Sequence, residues 1–232
     1  MAAAITDSSV IFSAWASSLA VLTDTEKELG VTLLDIGSGT TGIAIFQEGS
    51  IVYSGCIPLG GSSITSDIAI GLQVSLEEAE KIKVNMNKLF DSKYDGSKPK
   101  EIKNIPTILR KAEPEKPKKK KEEELDLNAI GIDKVVSKNM LEKIVGARCE
   151  EIFQMVKENI SKAGYDIAMP AGVVLTGGTS LLRDITKFTQ SLVGVAARVG
   201  YPSGLTGMTE EISDPSYACV QGLIKHAMDD EG

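Results

Sequence analysis

The amino-acid sequence predicts an α/β fold in which helices flank a mixed sheet. An apolar run over Val31–Ile36 reaches a glycine turn, and two further strand patterns follow at 42–47 and 51–59. A later apolar run, 172–176, leads into the paired glycines 177–178 and precedes a helical pattern. Strands therefore come first, helices next, and single strands and helices alternate at the end, which is an α/β order.

The first three strand patterns predict an antiparallel meander. The second and third are separated only by the turn residues Glu48, Gly49 and Ser50, a length that joins neighbouring antiparallel strands. A last strand is expected near 196–199.

Capping patterns predict where the helices begin. Ser75 and Glu78 have the spacing of a capping box, so a helix is expected from there to about Phe90. Ser137 can cap a long amphipathic helix that reaches about Ala163. Two more helices are expected, one from Thr179 or Ser180 and one opened by Asp214-Pro215, an N-cap followed by proline. The uncharged segment 8–22 is too short and too rich in serine and alanine for a membrane span, so we expect a helix packed on the sheet.

Composition limits the function classes. The 232 residues are 42% hydrophobic, enough for one large domain or two small ones. The formal net charge of −7 argues against a general nucleic-acid binder, which normally carries a basic face. Three cysteines far apart in the sequence indicate neither a disulfide framework nor a zinc site and fit a reducing cytoplasm.

Residues 91–125 lose all periodicity and predict a charged, flexible loop. The segment contains several prolines, the tetralysine 118–121 and the three glutamates 122–124. A nuclear-localisation or anion-binding role for the lysines is the alternative, but the adjacent glutamates cancel their field within a Debye length.

The most informative residues lie where the first buried strand turns back, in Asp35-Ile36-Gly37-Ser38-Gly39-Thr40-Thr41. Gly37 and Gly39 let the main chain approach a polyphosphate closely, because no Cβ stands in the way. Thr40 and Thr41 add hydroxyl donors, and Asp35 can hold Mg²⁺ through water. By itself such a hairpin can also be an ordinary tight connection.

A second glycine loop strengthens the prediction. Gly177-Gly178-Thr179 follows a strand and precedes a predicted helix, whose N-terminal amides would face an anion or a base. Two loops of this kind in one acidic domain predict a nucleotide site.

These two loops resemble those of the actin-like ATPase superfamily. DIGSGTT resembles its second phosphate loop, and GVVLTGGTSLL resembles its adenosine loop. Further segments resemble the bacterial cell-division family FtsA in order and spacing: LGV at 29–31, IP at 57–58, TSDIA at 65–69, AEKIK at 79–83 and GMT at 207–209. The resemblance covers about 20–90 and 130–227.

The resemblance implies the second domain of an actin-like (ribonuclease H-like) ATPase. Residues 1–61 and 151–232 would form the nucleotide-binding subdomain, and 62–150 a smaller inserted α/β subdomain. Asp35 would reach the metal through water. The implied nucleotide contacts are Gly37, Ser38, Gly39, Thr40, Thr41, Glu80, Lys83, Gly177, Gly178, Thr179 and Leu181. Apart from the resemblance, Glu80 and Lys83 would be read as a solvated ion pair.

Two departures from the family pattern bear on activity. The family usually has an acidic residue after the second threonine, where it helps position the attacking water, and this chain has Gly42. Family members also carry a first domain with its own phosphate loop before the segment that begins here. We therefore expect little ATP hydrolysis by this chain alone, and poor burial of the segment 8–22.

The leading hypothesis is an FtsA-type division protein half that binds ATP and Mg²⁺. The resemblance implies contact with the tubulin-like division protein FtsZ through the inserted subdomain, and self-association into actin-like filaments. It implies a cytoplasmic location at the inner face of the membrane at the division site, with only indirect membrane contact. The alternatives are a non-catalytic interaction module, half of a split actin-like protein, or an actin-like protein of pilus assembly.

Overall fold

A five-stranded mixed sheet with helices on both faces forms the centre of the fold. The computed structural model describes residues 10–90, 123–205 and 212–230. The strands are β1 (Val31–Ile36), β2 (Thr41–Gln47), β3 (Ser50–Ile57), β4 (Glu124–Asp126), β5 (Val135–Ser137), β6 (Val173–Thr176) and β7 (Ala197–Val199). The helices are α1 (Ser13–Val21), α2 (Asp24–Leu29), α3 (Gly61–Leu72), α4 (Leu76–Val84), α5 (Met86–Phe90), α6 (Lys138–Lys162), α7 (Ile185–Val193) and α8 (Ala218–Asp230).

The strand order in the main sheet is β3-β2-β1-β6-β7. The first three strands form the predicted antiparallel meander, and β6 and β7 add to it in parallel. β1 and β6 are therefore adjacent at the centre of the sheet, and both end at the same edge. The short strands β4 and β5 form a separate antiparallel pair.

Both faces of the sheet are buried at its central strands, which explains the continuous apolar runs of β1 and β6. Because strand side chains alternate, Leu34 and Ile36 face one core and Val31 and Leu33 face the other. The larger core packs the sheet against residues of α3, α4 and α6. The smaller core packs it against α1 and α8, which bury mainly small residues.

The expectation that the segment 8–22 is poorly buried is wrong for its described part. Ala14, Ala16 and Ala20 of α1 are buried, and α8 packs along the helix. A Cβ at Gly222 of α8 would overlap the carbonyl of Ala16, so the two backbones are in direct contact. The small residues of both helices let them shield each other, so α1 needs no further domain for its burial.

The capping predictions are confirmed, with one change at a helix end. The hydroxyl of Ser75 accepts from the Glu78 amide, and the Ser137 hydroxyl accepts from the Met140 amide. The first of these helices stops short of Phe90: α4 ends at Val84, and the separate helix α5 covers Met86–Phe90. The Asn85 side chain donates to the carbonyl of Lys81, which satisfies the end of α4 and interrupts the helix.

Two further predictions need correction. No α-helix begins at Thr179 or Ser180; residues Gly178–Leu181 form a short 3₁₀ helix, and α7 begins at Ile185. Between the two helices Leu182 has a non-helical ψ of 139° and Asp184 a left-handed φ of 55°, so the 3₁₀ turn does not continue into α7. The predicted loop 91–125 ends earlier than expected, because Glu124–Asp126 pairs with β5. Residues 91–122, with their lysines, lie outside the described residues.

The predicted inserted subdomain shares its core with the main sheet. Ile82, Leu127 and Leu141 of that segment belong to the same buried cluster as Leu34 and Ile43. The 25-residue helix α6 crosses the predicted boundary at 150 and 151. The subdomain limits stay a prediction. Among the described helices, none has the length and apolar character that a bilayer crossing requires.

Candidate functional site

The two glycine loops meet at one edge of the sheet. β1 and β6 run parallel with Asp35 opposite Thr176, so the residues that follow each strand emerge side by side. Gly177 is pressed against the first loop: its φ is +80°, and a Cβ there would lie 2.5 Å from Asp35 Oδ1. The predicted convergence of residues 35–41 and 177–179 is confirmed.

The start of α3 turns the carbonyls of the first loop inward. The amides of Gly61 and Ser62 donate to the carbonyls of Gly37 and Ser38 at 2.9 and 2.8 Å. Gly60 allows this approach, since a Cβ on it would lie 2.6 Å from the Ser38 carbonyl oxygen. With these carbonyls engaged, the amides of Ser38 and Gly39 make no hydrogen bond to any residue that the structure describes. Exposed amides of this kind are the groups that bind an anion.

Two glycines at the site have no role in packing. A Cβ at Gly39 would meet nothing within 4 Å, and one at Gly178 would meet only Ser216 Cβ at 3.7 Å. Neither has a positive φ, so the backbone does not require glycine there either. Space left open beside a loop is what a ligand approaching the main chain needs.

The second loop is tied to the first by Thr179, which is buried. Its hydroxyl donates to the Gly37 carbonyl at 2.9 Å. The neighbouring Ser180 is buried too, and its hydroxyl has no hydrogen-bond partner in the described part of the chain. A buried orphan hydroxyl is uncommon in folded proteins and marks this loop as incomplete without a water or a ligand.

Glu80 and Lys83 also face this edge, although they are distant in sequence from both loops. Lys83 Nζ lies 2.8 Å from Glu80 Oε2 and donates to the Thr65 hydroxyl at 2.9 Å and to the Gly61 carbonyl at 3.1 Å. The Lys83 side chain is only 11% exposed. A Cβ at Gly61 would collide with the Thr179 hydroxyl. These contacts place Lys83, largely shielded from solvent, beside the loops, while Glu80 stays 48% exposed.

Hydrogen bonds from neighbouring side chains favour the ionised form of the Glu80 carboxyl. Burial is the largest influence and by itself raises the pKa of this carboxyl, but hydrogen bonds from Lys83 and Thr65 outweigh it, so the pKa lies below its usual value. Thr65 therefore links the acid and the base: it donates to Glu80 Oε2 at 2.5 Å and accepts from Lys83.

Asp35 is partly buried beside α1. The Ser17 hydroxyl donates to its Oδ2 at 2.6 Å, yet burial raises the pKa of the Asp35 carboxyl. A carboxylate with few partners is suited to a water-bridged Mg²⁺ that arrives with a polyphosphate. The described residues contain no cluster of three or more histidine, cysteine or acidic side chains that could hold a metal ion.

The remaining predicted residues divide into exposed and structural ones. Ser38 and Thr40 are exposed at the loop, and Leu181 is 40% exposed at the end of the 3₁₀ helix. Thr41 is fully buried, and its hydroxyl donates to the Leu59 carbonyl at 2.8 Å. The prediction that the Thr41 hydroxyl serves a ligand is therefore not supported by its position.

Gly42 is explained by packing. It pairs with Asp35 across the strands, and a Cβ on it would lie 3.0 Å from Ala14 Cβ in α1. An acidic side chain at this position would need α1 to shift. In the cross-strand pair of Asp35 and Gly42, only Asp35 therefore carries a carboxylate.

Sequence reasoning missed the residues that support the site: Ser17, Gly60, Gly61, Thr65 and Ser180. Ser17, Gly60, Gly61 and Thr65 act through contacts with residues remote in the sequence, and Ser180 is notable for its unpartnered hydroxyl. Thr65 and Ser180 belonged to segments quoted for the family resemblance, where neither carried an assigned role. Asp67, two residues after Thr65 in α3, forms a bidentate ion pair with Arg148 of α6.

The fold and the paired loops define an actin-like domain. Solved structures of MreB5 of Spiroplasma citri superpose on it, one bound to ADP with a TM-score of 0.59 and one bound to AMPPNP with 0.58. They are 20% identical, and the match covers 92% and 95% of this chain and 57% and 61% of theirs. The PilM protein of a PilM-PilN type IV pilus biogenesis complex also matches, at 15% identity and a TM-score of 0.57, over 91% of this chain and 50% of that one.

The particular family follows from sequence comparison. The model of the family described as cell division protein FtsA matches residues 32–222. FtsA of Pseudomonas aeruginosa is 32% identical over 94% of the chain, and FtsA of Bacillus subtilis is 33% identical over 91%. This chain belongs to the FtsA family. It spans 47% and 42% of those two relatives, about half of their length.

Proposed function

We propose that this chain binds Mg²⁺-ATP at the edge of the sheet where the two glycine loops meet. The observation that carries the proposal is the orientation of the first loop. The carbonyls of Gly37 and Ser38 accept from the start of α3, while the amides of Ser38 and Gly39 make no hydrogen bond to any described residue. Such amides bind a polyphosphate, and the open space at Gly39 and Gly178 admits it.

Each remaining group has a role that its position supports. Asp35 would hold Mg²⁺ through water, and Thr40 would donate its hydroxyl to a phosphate. Lys83 and Glu80 would flank the ribose and the base, with the ammonium already held close to Gly61. The exposed Leu181 offers an apolar surface for the base. Mg²⁺ would neutralise phosphate charge that this acidic chain cannot offset alone.

We propose binding without rapid hydrolysis. Gly42 has no side chain to orient a water molecule, and Ala14 occupies the adjacent space. The second candidate function is a non-catalytic interaction module. The contact between Gly42 and Ala14 also fits this function, because it leaves no room for a water-orienting side chain.

Membership of the FtsA family supports a role in cell division. On this proposal the chain works in the cytoplasm, at the inner face of the membrane at the division site, where it links components of the division ring. FtsZ would bind the segment 62–150, and copies of the chain would associate as in actin-like filaments. The likeness to PilM is confined to the fold, so a role in pilus assembly has weaker support.

Isothermal titration of the chain with ATP and Mg²⁺ tests the binding site. Gly178→Asp should abolish the binding heat, because its carboxylate would repel phosphate from open space without disturbing the fold. Gly146→Asp is the matched control, since a Cβ at Gly146 in α6 also meets nothing within 4 Å. If the Gly178→Asp and Gly146→Asp variants bind ATP equally well, ATP does not bind at the proposed site. Phosphate release well above that of a Gly39→Asp variant would exclude the non-catalytic alternative.

A further inference from the structure

The ammonium of Lys83 has no hydrogen-bond donor left for a ligand. Its Nζ lies 2.8 Å from Glu80 Oε2, 2.9 Å from the Thr65 hydroxyl and 3.1 Å from the Gly61 carbonyl. A lysine ammonium carries three N–H donors, so each of them already has an acceptor within the protein. Lys83 therefore holds other groups of the site in place and offers no bond of its own to a nucleotide.

The hydroxyl of Thr65 has one proton and two acceptors within reach. Glu80 Oε2 lies 2.5 Å away, and the carbonyl of Gly61 lies 3.0 Å away. The proton goes to the carboxylate, because an ionised acceptor at the shorter distance forms the stronger hydrogen bond. The Gly61 carbonyl keeps the bond from Lys83. Since Thr65 is buried, solvent does not compete for this hydroxyl.

The two oxygens of the Glu80 carboxylate are therefore in different situations. Oε2 is held by both Thr65 and Lys83, whereas Oε1 makes no hydrogen bond to any residue in the described part of the chain. The same two neighbours lower the pKa of the carboxyl against the larger opposing effect of burial, so Oε1 belongs to an ionised group. The site thus presents one charged acceptor in a fixed position, and its complement is a donor on the ligand.

This acceptor belongs to the phosphate end of the proposed site. A Cβ built on Gly61 would lie 3.2 Å from Lys83 Nζ and 3.6 Å from the carbonyl oxygen of Gly37 in the first loop. Ribose is the part of a nucleoside triphosphate that follows the phosphates, and its hydroxyls are donors. The exocyclic amine of adenine is also a donor, but it lies at the far end of the molecule. The nearest donors available to Glu80 are therefore those of the sugar.

We propose that Thr65 is a positioning residue that makes this site selective for nucleotides with a free ribose hydroxyl. Its proton fixes Oε2 of Glu80 and leaves Oε1 to accept from the 2′ or the 3′ hydroxyl. Lys83 supports the same arrangement and reaches the nucleotide only through Glu80. The inference rests on the proposed function, because it names the sugar that the proposed ATP site selects.

Titration of the chain with ATP, 2′-deoxy-ATP and 3′-deoxy-ATP, each with Mg²⁺, tests the selection. At least one deoxynucleotide should bind about tenfold more weakly than ATP, because it lacks a hydrogen bond to a charged group. In the Thr65→Val variant, ATP affinity should fall to that of this deoxynucleotide, whose own affinity should stay the same. Thr65→Ser keeps the hydroxyl and should retain the preference for ATP.

Thr189→Val is the matched control. Thr189 is also buried in a helix, and its hydroxyl donates to the Ile185 carbonyl four residues earlier in α7. Its replacement removes the same hydroxyl far from Glu80 in the sequence and without any contact to it, so the preference for ATP should persist. A loss of stability does not imitate the expected result, since unfolded chain lowers the apparent affinity for all three nucleotides by the same factor.

Three results would overturn this inference and leave the ATP site intact. The unmodified chain could bind ATP and both deoxynucleotides equally tightly, or the Thr65→Val variant could keep the full preference for ATP. The Thr65→Val variant could also lose affinity for ATP and for the deoxynucleotides to the same extent, which would give Thr65 a purely structural role. If the unmodified chain binds none of the three nucleotides, the proposed function itself fails.

Discussion

The hydroxyl of Thr179 donates a hydrogen bond of 2.9 Å to the carbonyl of Gly37, and so joins two loops that are 142 positions apart in the chain. Because the Gly37 carbonyl also accepts from the Gly61 amide, three separate segments are fixed at one atom. The loops are therefore organised in advance, which reduces the entropic cost of binding a ligand between them.

Replacing Thr179 with valine should loosen both loops. The change removes the hydroxyl and keeps the side-chain shape, so we expect a stability loss of about 1 kcal/mol and ATP binding weaker by about five- to tenfold. Thermal unfolding and titration measure the two effects. Thr179→Ser keeps the donor and should stay near the unmodified protein. A valine variant that binds ATP as tightly as the serine variant would show that the loops need no such bond.

Asp35→Asn should stabilise the protein at neutral pH while it weakens metal-dependent ATP binding. Burial raises the pKa of the Asp35 carboxyl, so the folded state holds its proton more tightly than the unfolded state. The folded protein therefore loses stability as pH rises above the ordinary value of 3.8 and through the raised pKa. Asparagine removes this cost.

Melting temperatures of both proteins across pH provide the measurement. The advantage of the asparagine variant should be largest at neutral pH and should shrink toward pH 3.8. A variant that is less stable than the unmodified protein at pH 7 would contradict this account. Ser17→Ala, which removes the hydrogen bond to the carboxylate, should change stability in the opposite direction at neutral pH.

Lys83 and Glu80 should behave as a coupled pair. Lys83→Met removes an almost buried ammonium and leaves Glu80 with one fewer partner, so we expect a loss of about 1–2 kcal/mol. Because Glu80 is 48% exposed, solvent screening keeps the cost at the low end for a charged pair. The double variant Glu80→Gln/Lys83→Met should lose less than the sum of the single changes. If the losses in unfolding free energy of the two single variants, measured in denaturant, add up to that of the double variant, the two residues do not interact.

Arg148→Lys should destabilise the contact between α3 and α6. The guanidinium donates to both oxygens of Asp67 and to Glu151, a geometry that a lysine ammonium cannot reproduce. We expect a loss of about 1–2 kcal/mol at low salt, and a smaller difference at 1 M salt, where exposed ion pairs are screened. Lys143→Arg, elsewhere on α6, serves as the control. Equal stability of the two variants at low salt would contradict a structural role for the bidentate pair.

Much of the fold could be predicted because its signals are local. The apolar run of β1, the capping serines 75 and 137 and the glycine pair 177–178 each depend on a few consecutive residues. Predictions failed where a distant contact intervened. α1 is buried because α8 supplies small residues against it.

The candidate site shows the same division. Asp35, Ser38 and Gly39 could be selected from sequence, because a strand that ends in glycines is a recognisable pattern. Thr65, Gly61 and Ser17 could not, since each is an ordinary residue whose role comes from the partner beside it. Thr41 looked like its neighbour Thr40, and only burial separates the two.

The sequence alone determined the strands of the main sheet, the starts of the capped helices α4 and α6, the two glycine loops and the family, because these depend on residue order and short-range preference. Tertiary structure decided that the loops share one edge, that Lys83 joins them and that Thr65 links Lys83 to Glu80. These relationships arise when β6 pairs with β1 and α3 packs beside them, and hydrogen bonds between distant segments have no trace in local sequence.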